Sequence, residues 1–192
     1  VGFYEIDVID KYCGTDVFAD KSFVTVNVVD TAFLSLKACL QGPWNSAKGK
    51  MESAVLDQID KHGLSKWPDV GGRKIIDWVV VELWKDDVAE PEFWDDQWCL
   101  LLDDGTIVDK EGDTNLKLMG KTSSAQFRVA IRSRNHLATW SKVVDLSATT
   151  PAAPCEIDFT KASHLYMEPG ESISKYAYMD GAGRMLLYGG EV

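Results

Sequence analysis

Three histidines, His62, His136 and His164, are the first side chains to test for chemistry. None pairs with another at i, i+2 or i, i+4, the spacings that place two imidazoles on one metal. No Gly-x-Ser-x-Gly elbow or cysteine-centred motif stands near them, so the common nucleophile–base arrangements are missing. His136, in Arg132-Ser133-Arg134-Asn135-His136-Leu137, fits a structural histidine bonded to nearby backbone better than a general base. Carboxylates are more plentiful, and glycoside hydrolysis would need two of them at a set separation across a cleft. Asp86, Asp87, Glu90, Glu92, Asp95 and Asp96 lack the apolar setting that raises a carboxyl pKa, and read as a solvated acidic loop. Asp103, Asp104 and Asp109, with Glu111 and Asp113 beside them, offer oxygen ligands of the kind calcium takes, without EF-hand spacing. The competing reading is an ordinary charged hairpin. Gly181-Ala182-Gly183 follows no evident strand and opens no helix, which disfavours a phosphate loop. No constellation supports catalysis, and the chain reads as a non-enzyme.

The seven tryptophans are more distinctive. Trp78, Trp84 and Trp98 fall in apolar strand-like runs and are expected in the core. Trp44, Trp67 and Trp94 lie beside Pro, Lys or Asp in expected loops. An exposed ring there can stack on a sugar face or fill a partner's pocket; the alternative is a lid folded back onto the protein. With Asp95 and Asp96 these three form the candidate ligand-binding set.

Composition bounds the setting. The chain has 192 residues, 45% apolar and 26% charged, the profile of a folded globular protein. Twenty basic against thirty acidic residues give a net charge of −10, which disfavours nucleic-acid partners and anionic membrane surfaces. The densest apolar run, Ile75 to Leu83, is interrupted by Asp77 and Glu82, so no membrane insertion is expected. Cys13, Cys39, Cys99 and Cys155 include no Cys-x-x-Cys pair, which disfavours zinc and redox motifs. Their even number in a strand-rich chain predicts at least one disulfide and an oxidising compartment. Four buried thiols acting as small hydrophobes are the alternative. The chain opens at Val1 rather than Met, so removal of a leader or upstream domain is expected. An extracellular or cell-surface address follows from these expectations.

The apolar periodicity supplies the framework. Residues 1–10 and 22–29 alternate as strands, as do residues 33–40, with Leu34, Leu36, Ala38 and Leu40 on one face. From Lys50 to His62 the period lengthens, with Met51, Val55 and Ile59 four apart and Gly63 following, which predicts one short α-helix. A strand from Lys74 to Trp84 is apolar on both faces at its centre and is expected to be central. Asp103-Asp104-Gly105 between apolar runs predicts a hairpin. Further strands are expected near 116–119, 126–132, 140–146 and 156–159, with an irregular Gly- and Tyr-rich tail against the sandwich edge. The predicted fold is mainly β, an antiparallel Ig-like or transthyretin-like β-sandwich with one short α-helix. Residues 1–32 form an N-terminal strand segment, added or exchanged, and residues 33–192 form the sandwich module.

Several segments together resemble one family. They are Leu40-Gln41-Gly42-Pro43-Trp44, the stretch containing Met51, Ile76 to Leu83, Leu100 to Asp109, and Val129 to Leu137. Asp158-Phe159-Thr160 and the ending Tyr188-Gly189-Gly190 extend the likeness, which spans roughly residues 34 to 190. The family is the haemagglutinin-like or uncharacterised β-sandwich module of large secreted and cell-surface proteins of gliding, polysaccharide-degrading bacteria. The resemblance implies an extracellular, non-catalytic module with no assigned active site. The four cysteines and the acidic, Trp-rich stretch at 84–98 depart from it.

Two functions follow as expectations. The first is a non-catalytic binding module for polysaccharide or another surface ligand in adhesion. The alternative is a structural subunit or spacer of a surface fibre, in which copies of the chain assemble by strand addition.

Overall fold

A computed structural model describes residues 30–52, 66–86, 90–121, 126–134 and 136–188. Among the described residues, thirteen strands appear in order: β1 (Asp30–Lys37), β2 (Trp44–Asn45), β3 (Lys50–Met51), β4 (Ile75–Lys85), β5 (Glu92–Leu102), β6 (Ile107–Val108) and β7 (Leu116–Lys121). They continue with β8 (Gln126–Ser133), β9 (His136–Trp140), β10 (Val144–Asp145), β11 (Cys155–Asp158), β12 (Tyr178–Met179) and β13 (Met185–Leu186). Two 3₁₀ turns, Ala162–His164 and Ile173–Lys175, interrupt the tail.

The larger sheet has the order β10-β8-β4-β5-β6, with β9 also paired to β8. The smaller is β11-β1-β7, in which β1 runs parallel to β11 and antiparallel to β7. Strand alternation explains why these two sheets stack. Leu34 and Leu36 of β1, Leu116 and Leu118 of β7 and Ile157 of β11 turn one way. They meet Val79, Val81 and Leu83 of β4, Cys99 and Leu101 of β5, and Phe127, Val129 and Ile131 of β8. All are essentially removed from water, each large apolar side chain contributing about 1.5–3 kcal/mol. The chain is a mainly β, sandwich-like protein.

The Asp103-Asp104-Gly105 turn joins β5 to β6 as expected. Asp104 Oδ1 accepts the Thr106 N–H at 2.9 Å, and Gly105 adopts φ +88°. The tail, expected to lie irregularly against the sandwich edge, buries Leu165, Ala177, Met185, Leu186 and Leu187 in the main core and pairs β12 with β13.

Several expectations are corrected. Lys50 and Met51, placed in a helix by the four-residue period, are a strand pairing with β2, and Met51 is buried. Residues 53–62 of that expected helix lie outside the described residues, as do residues 1–29, including the strands expected at 1–10 and 22–29 and most of the proposed N-terminal segment. Residues 92–98, within the stretch read as a Trp-rich loop, are strand. Ladder pairing of Val81 with Gln97, Glu82 with Asp96 and Leu83 with Asp95 overrides their acidic composition. Gly181-Ala182-Gly183 does follow a strand, β12, and turns the chain into β13 rather than into a helix.

The cysteines also differ from expectation. Cys39, Cys99 and Cys155 are free thiols, and Cys13 lies outside the described residues. Cys39 and Cys99 sit in the main core as small hydrophobes. Burial pushes the Cys39 thiol up to about 11, and raises those of Cys99 and Cys155 as well.

Candidate functional site

The outward face of the larger sheet carries the features that point to binding. On β4, Trp78, Val80, Glu82 and Trp84 alternate with the core residues Val79, Val81 and Leu83 and therefore face away from the sandwich. Their cross-strand neighbours are Leu100, Trp98, Asp96 and Phe93 on β5. On β8, Val80 faces Arg132 and Trp84 faces Arg128.

At one end of this face lies a tryptophan cluster. Trp78 is 6% exposed, lying between Trp67 at 5.9 Å and Trp98 at 6.4 Å between ring centroids. Trp67 comes from the segment after Lys66, which covers the sheet end together with Val70. Trp98 is 50% exposed, although it sits in a strand. Among the described residues, β6 pairs with β5 at Leu100 and Leu101 and ends short of Trp98.

At the other end is a cleft of about 550 Å³, lined by Asp86, Pro91, Arg128, Trp140, Tyr166, Glu168 and Tyr176. Arg128 anchors it. Its Nε and Nη2 donate to the two Asp86 carboxylate oxygens at 2.7 and 3.0 Å, and its guanidinium stacks on Tyr166 at 4.0 Å from the ring centre. Burial works against the charge, but the Asp86 carboxylate more than offsets it and raises the Arg128 pKa. The Tyr166 N–H donates to the Trp140 carbonyl at 2.9 Å, which ties the tail segment to β9. The Tyr176 hydroxyl accepts the Glu168 N–H at 3.2 Å. Trp140 meets Trp84 in a tilted contact at 5.1 Å, and Trp84 meets the exposed Phe93 edge to face at 5.5 Å.

A polar band separates the two ends. Glu82 accepts hydrogen bonds from Arg132 Nε and, at 2.9 Å, from the Trp84 indole N–H. Asp96 stands exposed opposite Glu82.

The residues singled out from sequence are distributed differently. Trp44 packs against the main core beneath the Arg184 guanidinium, 4.3 Å from its ring centre. Trp94 also turns toward the core, edge to face with Phe127 at 6.3 Å, and Lys85 lies over it. Trp67 supports Trp78. Asp95 accepts the Met119 N–H at 2.6 Å, tying β5 to the edge of β7. Of the five, Trp67 and Asp96 belong to the outward face, while Trp44, Trp94 and Asp95 are packed or engaged elsewhere.

The acidic turns are built on backbone amides. Asp103 is buried, accepts the Lys74 N–H at 3.2 Å and pairs with Lys50 at 3.4 Å. Asp109 takes the N–H groups of Glu111 and Asp113 at 2.9 and 2.8 Å; Asp180 takes those of Ala182 and Arg184 at the same distances. Gly112 and Gly183, three residues after each aspartate, both adopt positive φ, so the two Asp-x-x-Gly turns match. Backbone hydrogen bonds of this kind lower the carboxyl pKa of Asp180. Among the described residues, no three His, Cys, Asp or Glu side chains converge in a way that could hold a metal ion.

Trp98, Phe93, Trp140 and Arg128 were not singled out from sequence as a site. The available signal was the apolar character of both faces of β4, which implied a second aromatic surface as well as a central strand. Among the described residues, no helix is long and apolar enough to cross a membrane. Comparison with family models, curated proteins and solved structures found no match.

Proposed function

We propose that this protein is a non-catalytic binding module for glycans of a surface or secreted polysaccharide, and that the outward face of the larger sheet is its recognition surface. The observation that carries this reading is the cleft at Arg128. Aromatic rings (Trp140, Tyr166 and Tyr176) share it with the paired Arg128 and Asp86 and with the exposed Glu168. Aromatic faces suit the C–H faces of a pyranose, while oriented polar groups suit its hydroxyls. Both Asp86 oxygens are engaged by one guanidinium, an arrangement that holds the geometry of the cleft. An extracellular address agrees with this reading and with the resemblance to surface modules.

The test is affinity electrophoresis of the whole chain through native gels containing hydroxyethyl cellulose, glucomannan, soluble starch, polygalacturonate or alginate. Retardation by at least one polymer, reduced in Tyr166→Ala, supports the reading. Unchanged mobility in all five gels overturns it.

A further inference from the structure

We propose that the two ends of the outward face act as one elongated site for an uncharged linear glycan, running obliquely across β4 and β8 from Trp98 on β5 to the cleft at Trp140 on β9. This inference rests on the glycan reading above and specifies the ligand class.

Three observations carry it. First, Trp98 on β5 stands opposite Val80, and Trp140 on β9 stands opposite Ala130, which pairs with Glu82, so the two rings are two residues along and three strands across from each other, about 16 Å at the usual spacings. That is the length of a short oligosaccharide, not of one sugar. Trp78 supports the exposed Trp98, and Trp84 supports Trp140 in the cleft, so each end has an aromatic surface backed by a second ring. Second, the interval between the ends is polar. Glu82 fixes the half-exposed Arg132, and Asp96 stands opposite, which places donors and acceptors along the middle of a hydroxyl-rich chain. Such groups orient a sugar chain, while stacking at the ends supplies most of the affinity.

The third observation sets the ligand's charge. Arg128 and Arg132, the arginines on the outward face of β8, are both committed to carboxylates, to Asp86 and Glu82 respectively. A uronic acid entering the cleft would compete with Asp86 for Arg128 and would approach a chain carrying a net charge of −10. An uncharged glycan meets neither obstacle.

Titration calorimetry with the whole chain tests this, using β-1,4-gluco- and manno-oligosaccharides from disaccharide to hexasaccharide. Affinity is expected to rise by about tenfold or more between disaccharide and pentasaccharide, then to level off. Trp98→Ala and Tyr176→Ala, at opposite ends, should each reduce hexasaccharide affinity toward the disaccharide value. Circular dichroism checks that both variants fold; Trp98→Leu and Tyr176→Leu replace any that does not. Affinity that is flat from the disaccharide upward, or a hexasaccharide indifferent to one of the two ends, overturns the elongated site while leaving glycan binding intact. Stronger retention by polygalacturonate or alginate than by uncharged polymers overturns the charge assignment. Binding to none of these sugars or polymers overturns the glycan reading itself.

Discussion

Arg128 and Asp86 meet through two parallel hydrogen bonds, 2.7 and 3.0 Å long, with both side chains largely shielded from water. The pair joins β8 to the end of β4 and holds the guanidinium flat against Tyr166. A planar fork fits a carboxylate in this way, and an ammonium does not. Asp86→Asn keeps the shape but leaves the cation without its charge partner. The expected outcome is a loss of about 1–3 kcal/mol in denaturant unfolding, together with stronger retardation by polygalacturonate, since Arg128 becomes available to an acidic sugar. Retardation no greater than that of the parent would show that the pair does not govern ligand charge.

The two neighbouring tryptophans at the other end should respond in opposite ways. Trp78 is buried between Trp67 and Trp98, so Trp78→Ala leaves a cavity and should cost about 3–5 kcal/mol in denaturant unfolding. Trp98 is half exposed, and Trp98→Ala should cost about 1 kcal/mol or less while weakening glycan binding. Equal destabilisation by the two would place Trp98 in a structural role.

Gly105 is fixed by space as well as by conformation. A Cβ there would stand 2.7 Å from the Ala38 carbonyl oxygen and 3.0 Å from Cys39 Sγ, at φ +88°. The same residue's carbonyl accepts the Ala38 N–H at 2.9 Å, linking the β5–β6 turn to the chain after β1. Gly105→Ala should therefore cost about 1–3 kcal/mol, measured as a lower denaturation midpoint with an unchanged slope. Gly170→Ala, also at positive φ but in open space, should cost less.

His136 gives the fold an acid-side weakness. Both ring nitrogens are buried without a hydrogen-bond partner, and burial holds its pKa below the ordinary value, opposed by Asp77. The native state thus keeps a neutral imidazole, whereas the unfolded chain takes up a proton below about pH 6.5. This contribution to stability is full above that pH and falls as pH drops toward the lowered native pKa. Replacing His136 with Gln should make the melting temperature fall less between about pH 7.5 and about pH 5.5 than it does in the parent. An equal or larger fall in the variant would remove His136 as the cause.

Much of the sandwich was legible because alternation directly reports which side chains share a sheet face. Leu34, Leu36, Ala38 and Leu40 are all buried, and Phe127, Val129 and Ile131 face inward, as their spacing indicates. The candidate site was harder to read because exposure depends on pairing between distant segments. Among the described residues, β6 ends short of Trp98, and the local run Trp98-Cys99-Leu100 does not encode where it ends. Trp94 stands beside Asp95 and Asp96, yet it is the extra residue at the register shift between β4 and β5, and its ring turns onto Phe127. The cleft joins Asp86, Arg128 and Trp140, which the pairing of β4, β8 and β9 brings together, to Tyr166, which the tail returns along β9.

The central claim is that the outward face, and not Trp44 or Trp94, recognises glycan. Affinity electrophoresis of Trp98→Ala and Trp44→Ala in one gel containing the polymer that most retards the parent tests it most directly. The account predicts that Trp98→Ala migrates nearly as fast as in a polymer-free gel, while Trp44→Ala, if folded, remains retarded. Retention of Trp98→Ala alongside release of a folded Trp44→Ala would contradict it.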